Sequence, residues 1–371
     1  MQPLIFLCVA NDIHHPLIKS KPIGGSEFQF YTLIDKLKGK YNITCYNKTR
    51  SSCIIEGVHY KNYKEDLPKD ILDKDTCIIV CRSMPDFQSL SYDKIKNNRI
   101  YLWWHDHVTT DSPISRCPYL VDYTEPQQKV YNDMNTKEIF RRYILSEFAR
   151  NKNIHNVFNS EFTQRENLGF LREFGIFLDP LNQHIIYNAV YPDSLIKPDP
   201  ICVNVNQLVY ASAWTKGIRY IVHLFQYICA NDPDFQLVLM SPGYEWENMQ
   251  SIIPILKQTF RERITILGPT DKKEYAKTLS TSLCTFTGRF PETFGCVFAE
   301  SYYLGTPVIA DIYTGAVKEI IDPAHMVDFD KPEEVLRLLN ALRKKRLDMN
   351  ISLKPVFLEE YIIKQWMDLT L

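Results

Sequence analysis

The sequence predicts an α/β protein of two domains, each a parallel sheet interleaved with helices. Three observations carry this expectation. The chain has 371 residues, more than one hydrophobic core usually serves. Its first strand candidate, residues 3–10, is apolar without interruption from Leu4 to Ala10, as a central parallel strand is. From residue 208 onward, short apolar runs alternate with helical stretches, the pattern of a doubly wound sheet.

Composition narrows the function classes. Hydrophobic residues make up 45% and charged residues 23%, ordinary values for a globular protein. The net charge is −1, so no global basicity points to nucleic acid or to an anionic membrane, while peripheral membrane contact stays open. None of the ten cysteines forms a paired metal-ligand spacing, and several fall in apolar runs; they are expected to be buried free thiols in a reducing compartment. The opening residues lack a basic leader, and no apolar run is long enough to span a membrane. A soluble cytoplasmic protein is expected.

In the first half, Gly24-Gly25-Ser26 follows the first strand and opens a helix. Strand, glycine loop and helix start are the parts of an anion cradle. Further strands are expected at 43–46, 76–81 and 99–104. The last runs into His105-Asp106-His107, polar residues where α/β sheets place ligand contacts. Two histidines around one aspartate make a poor zinc set without a third ligand. A strand at 156–160 and a helix from Glu161 close this half. Ser146-Glu147-Phe148 and Ser160-Glu161-Phe162 are near copies, but two triplets do not make a repeat. Residues 191–200, with three prolines, read as a linker.

In the second half, strands are expected at 208–212, 236–241, 264–268, 283–288, 307–311 and 326–329. The first ends in Ser212-Ala213-Trp214-Thr215-Lys216-Gly217. A lysine opening a helix opposes the dipole preference, and a bound anion would explain it, as would plain solvation. Ser241-Pro242-Gly243-Tyr244 and Gly268-Pro269-Thr270 follow other strands as loops suited to backbone contacts. The most informative stretch is 288–311. It carries Glu292 and Glu300, with Thr293-Phe294-Gly295-Cys296 opening what reads as a helix. On one helix the two carboxylates would differ by about 12 Å in height. That separation suits a sugar nucleotide, with ribose at one end and hexose at the other.

Pro291-Glu292-Thr293-Phe294-Gly295, followed by Ala299-Glu300-Ser301 and Gly305-Thr306-Pro307-Val308-Ile309, resembles the donor-site signature of the retaining glycosyltransferase family 4, which has the GT-B fold. The resemblance implies two facing Rossmann-like domains with an interdomain cleft: an acceptor domain at 1–190, a nucleotide-sugar donor domain at 191–352, and a final helix at 353–371 crossing back to the first. It implies a metal-independent enzyme without cofactor, with a UDP- or GDP-sugar as co-substrate and a hydroxyl acceptor on a glycan, lipid or protein. Gly24 and Gly25 match the family's glycine loop. His105 and Asp106 match its polar cleft motif. Lys216 matches the lysine of a basic pair on the diphosphate; the arginine position falls at Ser212 or Ala213, and Arg289 is a candidate for the second charge. Glu292, Thr293, Phe294, Gly295 and Cys296 would hold the sugar, Glu300 the ribose, and the Gly268 loop the base. Thr314-Gly315-Ala316 resembles the loop after the donor-site strand, or is an ordinary turn. Another GT-B enzyme (an epimerase or a phosphorylase) or a non-catalytic glycan-binding module is the alternative.

Overall fold

The computed structural model describes residues 1–8, 24–63, 65–67, 75–81, 97–106, 150–173, 175–198, 202–241, 243 and 246–370. His107, Pro242, Tyr244 and the Ser146-Glu147-Phe148 triplet lie outside them. The chain divides into two compact units: one from the described residues of 1–8, 26–187 and 363–370, the other from 188–362 with Gly24 and Gly25.

The first unit holds strands β1 (Pro3–Leu7), β2 (Asn42–Asn47), β3 (Cys53–Ile55), β4 (Val58–Asn62), β5 (Cys77–Cys81), β6 (Arg99–Trp104), β7 (Ile154–Phe158) and β8 (Gln183–Ile185). They form one sheet in the order β3-β4-β2-β1-β5-β6-β7-β8, parallel throughout except for the β3–β4 pair. Helix α1 (Gly25–Leu37) buries Phe30, Leu33, Ile34 and Leu37, one stripe at helical spacing. Phe30 meets Phe6 of β1 edge to face at 5.4 Å. The β3–β4 hairpin was not expected from the sequence. Its two-residue turn, Glu56-Gly57, has φ of 49° and 83°. Such turns usually announce themselves as Asn-Gly or Asp-Gly. β7 ends at Phe158, two residues before the expected strand end, because Ser160 leaves the sheet to cap helix α2 (Glu161–Glu173): its Oγ accepts from the Thr163 N–H at 2.9 Å.

The second unit holds β9 (Asn204–Tyr210), α3 (Ile218–Asn231), β10 (Gln236–Met240), α4 (Ile253–Phe260), β11 (Ile264–Leu267), α5 (Lys272–Ser280), β12 (Ser282–Phe286), α6 (Cys296–Tyr303), β13 (Val308–Asp311), α7 (Val317–Ile320), β14 (Met326–Val327) and α8 (Pro332–Lys345). The order β11-β10-β9-β12-β13-β14 is all parallel. Counted along the chain this is 3-2-1-4-5-6, the Rossmann order. Leu208, Leu237, Leu239, Leu283 and Phe286 of the sheet join Ile221 and Phe225 of α3 in one core.

The last helix, α9 (Glu359–Thr370), begins in the second unit, and its residues from Ile363 cluster with the first. Within the first unit, Trp366 packs edge-on against Trp103 at 4.9 Å, and Tyr101 Oη donates to the Leu369 carbonyl. The cysteines of the described residues are free. Cys202 is exposed, against the expectation of burial, because it precedes the first strand of its sheet. Among the described residues, no helix is long and apolar enough to cross a membrane.

Candidate functional site

In a sheet of this order, β9 and β12 are neighbours from which the chain departs in opposite directions, and the loops after their C-terminal ends bracket a crevice. Both loops carry chemistry. After β9 comes a 3-10 turn, Trp214–Lys216, then Gly217 with φ 107°, then α3. Lys216 therefore does not open the helix as expected; the left-handed glycine separates it from the first helical residue. The two loops pass each other at close contact. A Cβ on Gly217 would stand 2.9 Å from the Arg289 nitrogen, and one on Gly288 only 1.8 Å from the Lys216 carbonyl oxygen. Only glycine fits either place.

That approach brings Lys216 Nζ to 2.7 Å from Glu292 Oε2. The lysine side chain is 34% exposed and the glutamate 9%. Glu292 is braced by its backbone, bridged to Gly315: its N–H donates to the Thr314 carbonyl at 3.2 Å, and Ala316 N–H donates to its carbonyl at 2.9 Å. The loop at 314–316 thus positions Glu292, a function its sequence left open.

The two glutamates do not share a helix. α6 starts at Cys296, after Gly295 with φ 91°, so it carries Glu300 while Glu292 precedes it. The height estimate made for one continuous helix does not apply. α6 ends as the sequence signals, on Gly305 with φ 82°: the Gly305 N–H reaches the Tyr302 carbonyl and Thr306 N–H the Ser301 carbonyl, a Schellman closure. Buried Glu300 accepts from Lys272 Nζ at 2.8 Å and from Tyr275 Oη at 2.5 Å. Sequence reasoning missed both donors; their spacing of three on the first turn of α5 is the signal that could have found them.

The other expected donor residues have varied surroundings. Burial, then Glu300, pushes the Cys296 thiol up to about 12, so it stays protonated; it accepts from Asn188 Nδ2 at 3.6 Å. Gly25 belongs to the second unit, where a Cβ on it would stand 3.6 Å from that sulfur; Gly24 precedes it at the start of α1. Phe294 is buried against Phe357. Thr293 is half-buried, and Ser212 is buried. Gly268 lets the Trp246 indole lie on its backbone, where a Cβ would come within 3.1 Å of the ring.

Arg289 departs from its expected part as a second diphosphate cation. Its side chain is 2% exposed and faces three carboxylates: Asp330 at 2.5 Å, Asp328 at 3.6 Å and Asp311 at 3.7 Å. Rings of Tyr313 and Tyr220 flank it at 4.7 and 5.4 Å. Burial raises the Asp311 carboxyl, opposed by the Tyr313 N–H and by Arg289. The buried guanidinium balances the buried Asp311 and the more exposed Asp328 and Asp330.

In the first unit, His105 directly follows β6. It is 2% exposed, and its ring centroid lies 4.3 Å from that of Trp103. Asp106 is exposed, and its carbonyl accepts from Asn167 Nδ2 at 3.3 Å. Among the described residues, no group of three or more His, Cys, Asp or Glu side chains could hold a metal ion.

Residues 193–352 match the family model described as glycosyl transferases group 1. The comparison with curated proteins finds no match. Among solved structures, the chain resembles Anabaena Alr3699/HepE in complex with UDP-glucose, at 11% identity over 100% of this chain and 99% of that one, with TM-score 0.68. It also resembles WaaG, a glycosyltransferase involved in lipopolysaccharide biosynthesis, at 12% identity over 99% of each chain, with TM-score 0.66. A third is sucrose-phosphate synthase from Thermosynechococcus elongatus, at 14% identity over 100% of this chain and 98% of that one, with TM-score 0.65. The class defined is therefore a GT-B protein. With the group 1 match over most of its second unit, the chain resembles the group 1 glycosyltransferases, and glycosyltransferase activity is what fold and match support.

Proposed function

We propose that the protein is a retaining, metal-independent glycosyltransferase that moves a hexosyl group from a UDP- or GDP-linked sugar to a hydroxyl of a glycan, lipid or protein-linked acceptor. The observation that carries this reading is the Lys216–Glu292 pair at the switch point of the second sheet, inside the segment matching the family model. The UDP-glucose bound to the Anabaena relative supports a nucleoside-diphosphate sugar as donor.

In this reading Lys216 turns its ammonium to the leaving diphosphate, where a preorganised cation stabilises developing charge. Glu292 then accepts from the sugar hydroxyls, and Glu300 from the ribose. The N–H groups at the start of α6 face the diphosphate. The bond from the anomeric carbon to phosphate oxygen breaks as the acceptor oxygen adds on the same face, and the departing phosphate takes the acceptor's proton. Retention follows without a separate base. His105 and Asp106 are proposed contacts of the acceptor. The free cysteines of the described residues support a reducing, cytoplasmic setting.

Thermal unfolding against a panel of UDP- and GDP-sugars tests the reading. The true donor stabilises the protein, by about 2.7 kcal/mol at a hundred times its Kd, and the Glu292→Ala variant loses the shift. NMR of the product shows the donor's anomeric configuration kept. A panel without any stabilising sugar, or an inverted product, overturns it.

A further inference from the structure

Both oxygens of Glu300 are held by the protein itself. Lys272 Nζ donates to Oε1 at 2.8 Å and Tyr275 Oη to Oε2 at 2.5 Å. The two donors stand three residues apart on α5, and the Lys272 ammonium also lies 4.7 Å from the Tyr275 ring centroid. Their turn is fixed at its start, where Asp271 Oδ1 accepts from the Glu274 N–H at 2.8 Å. Burial first, and Glu300 second, keep the Tyr275 phenol protonated and donating. A carboxylate oxygen has two acceptor directions. With one direction on each oxygen occupied, one on each remains, and the two bonds set the carboxylate's orientation. Two fixed acceptors side by side suit two vicinal hydroxyls.

We propose that Lys272 and Tyr275 are positioning residues that lock Glu300 to receive the 2′ and 3′ hydroxyls of a ribonucleotide together, and so select it over a deoxyribonucleotide. This rests on the reading of Glu300 as the ribose ligand. Glu300 touches the nucleotide; Lys272 and Tyr275 act through it.

The test is calorimetric binding of UDP, GDP and their 2′-deoxy and 3′-deoxy forms to the full chain, to Tyr275→Phe and to Lys272→Met. The wild type should bind one ribonucleotide at least about tenfold tighter than its deoxy forms. In each variant the ribonucleotide should weaken about fivefold while the deoxy forms bind as before, so that discrimination shrinks to about twofold. A merely structural role would weaken all forms alike. The Lys272 side chain is 43% exposed, so Lys272→Met keeps the test open if Tyr275→Phe does not fold. Full discrimination in Lys272→Met, or equal weakening of every form, overturns the proposal alone. A wild type that binds ribo and deoxy forms alike, or binds neither nucleotide, overturns the ribose role of Glu300 and the proposal with it.

Discussion

Lys216 and Arg289 sit on loops that follow neighbouring strands of one sheet, and their surroundings are opposite. Lys216 is a third exposed and has Glu292 at 2.7 Å. Arg289 is closed off from solvent and faces Asp311, Asp328 and Asp330. The lysine is within reach of water, so a ligand can approach it beside the buried Glu292. The arginine cannot leave without stranding the fully buried Asp311 beside two further, more exposed acids. Position at the edge of a sheet therefore does not say which cation serves a substrate; enclosure does.

This contrast can be broken most directly at Arg289. Arg289→Met should cost about 3–5 kcal/mol of folding stability, since it leaves the buried Asp311 without its counter-charge. Urea unfolding measures it, and a loss below about 1 kcal/mol would remove the distinction between Arg289 and Lys216. Lys216→Ala should do the reverse. Turnover with the donor found in the panel falls about a hundredfold, while stability falls less than in Arg289→Met. An unfolding midpoint that drops as far as for Arg289→Met would erase the distinction.

Gly217→Ala sharpens the contrast, because it strains the contact that sets both loops. The positive φ and the 2.9 Å approach to the Arg289 nitrogen should cost about 1–3 kcal/mol. Donor affinity should fall with it, read by the same thermal shift; stability lost at unchanged affinity would uncouple loop contact from site.

The smallest effect gives the background for these measurements. Burial lowers the pKa of His155, His184 and His325, and His155 Nδ1 lies 3.0 Å from His184 Nε2. Folded values below the ordinary value of about 6.5 mean that the unfolded chain binds more protons as pH falls through that window. Stability should thus rise with pH there and decline on acidification. Urea midpoints between about pH 7 and pH 5 should show this slope, and His184→Gln should flatten it. A slope of the opposite sign would place the histidines in charged, partnered states.

Much of the fold was legible because it rests on local pattern. Continuous apolar runs marked the strands of the second unit within a few residues of β9 to β14. Gly305 and Pro307 marked the end of α6. The β3–β4 hairpin escaped because Glu56 occupies a turn position that Asn or Asp normally signals. Of the candidate site, Lys216, Glu292 and Glu300 were legible as residues. The bracing of Glu292 by Gly315 and the hold on Glu300 by Lys272 and Tyr275 were not, since each joins segments that only the sheet brings together.

Local order was enough to give the parallel strands of the second unit, the end of α6 at Gly305 and the residue types at the strand ends, since each follows from the periodicity, φ preference or chemistry of neighbouring residues. Packing between distant segments set which charges are shielded from water. Gly217 and Gly288 let two loops cross at contact distance, and that crossing hands Glu292 to Lys216 and shuts Arg289 among three aspartates. Solvation and distance between groups far apart in the chain set the use of a charge, and neither is written in local order.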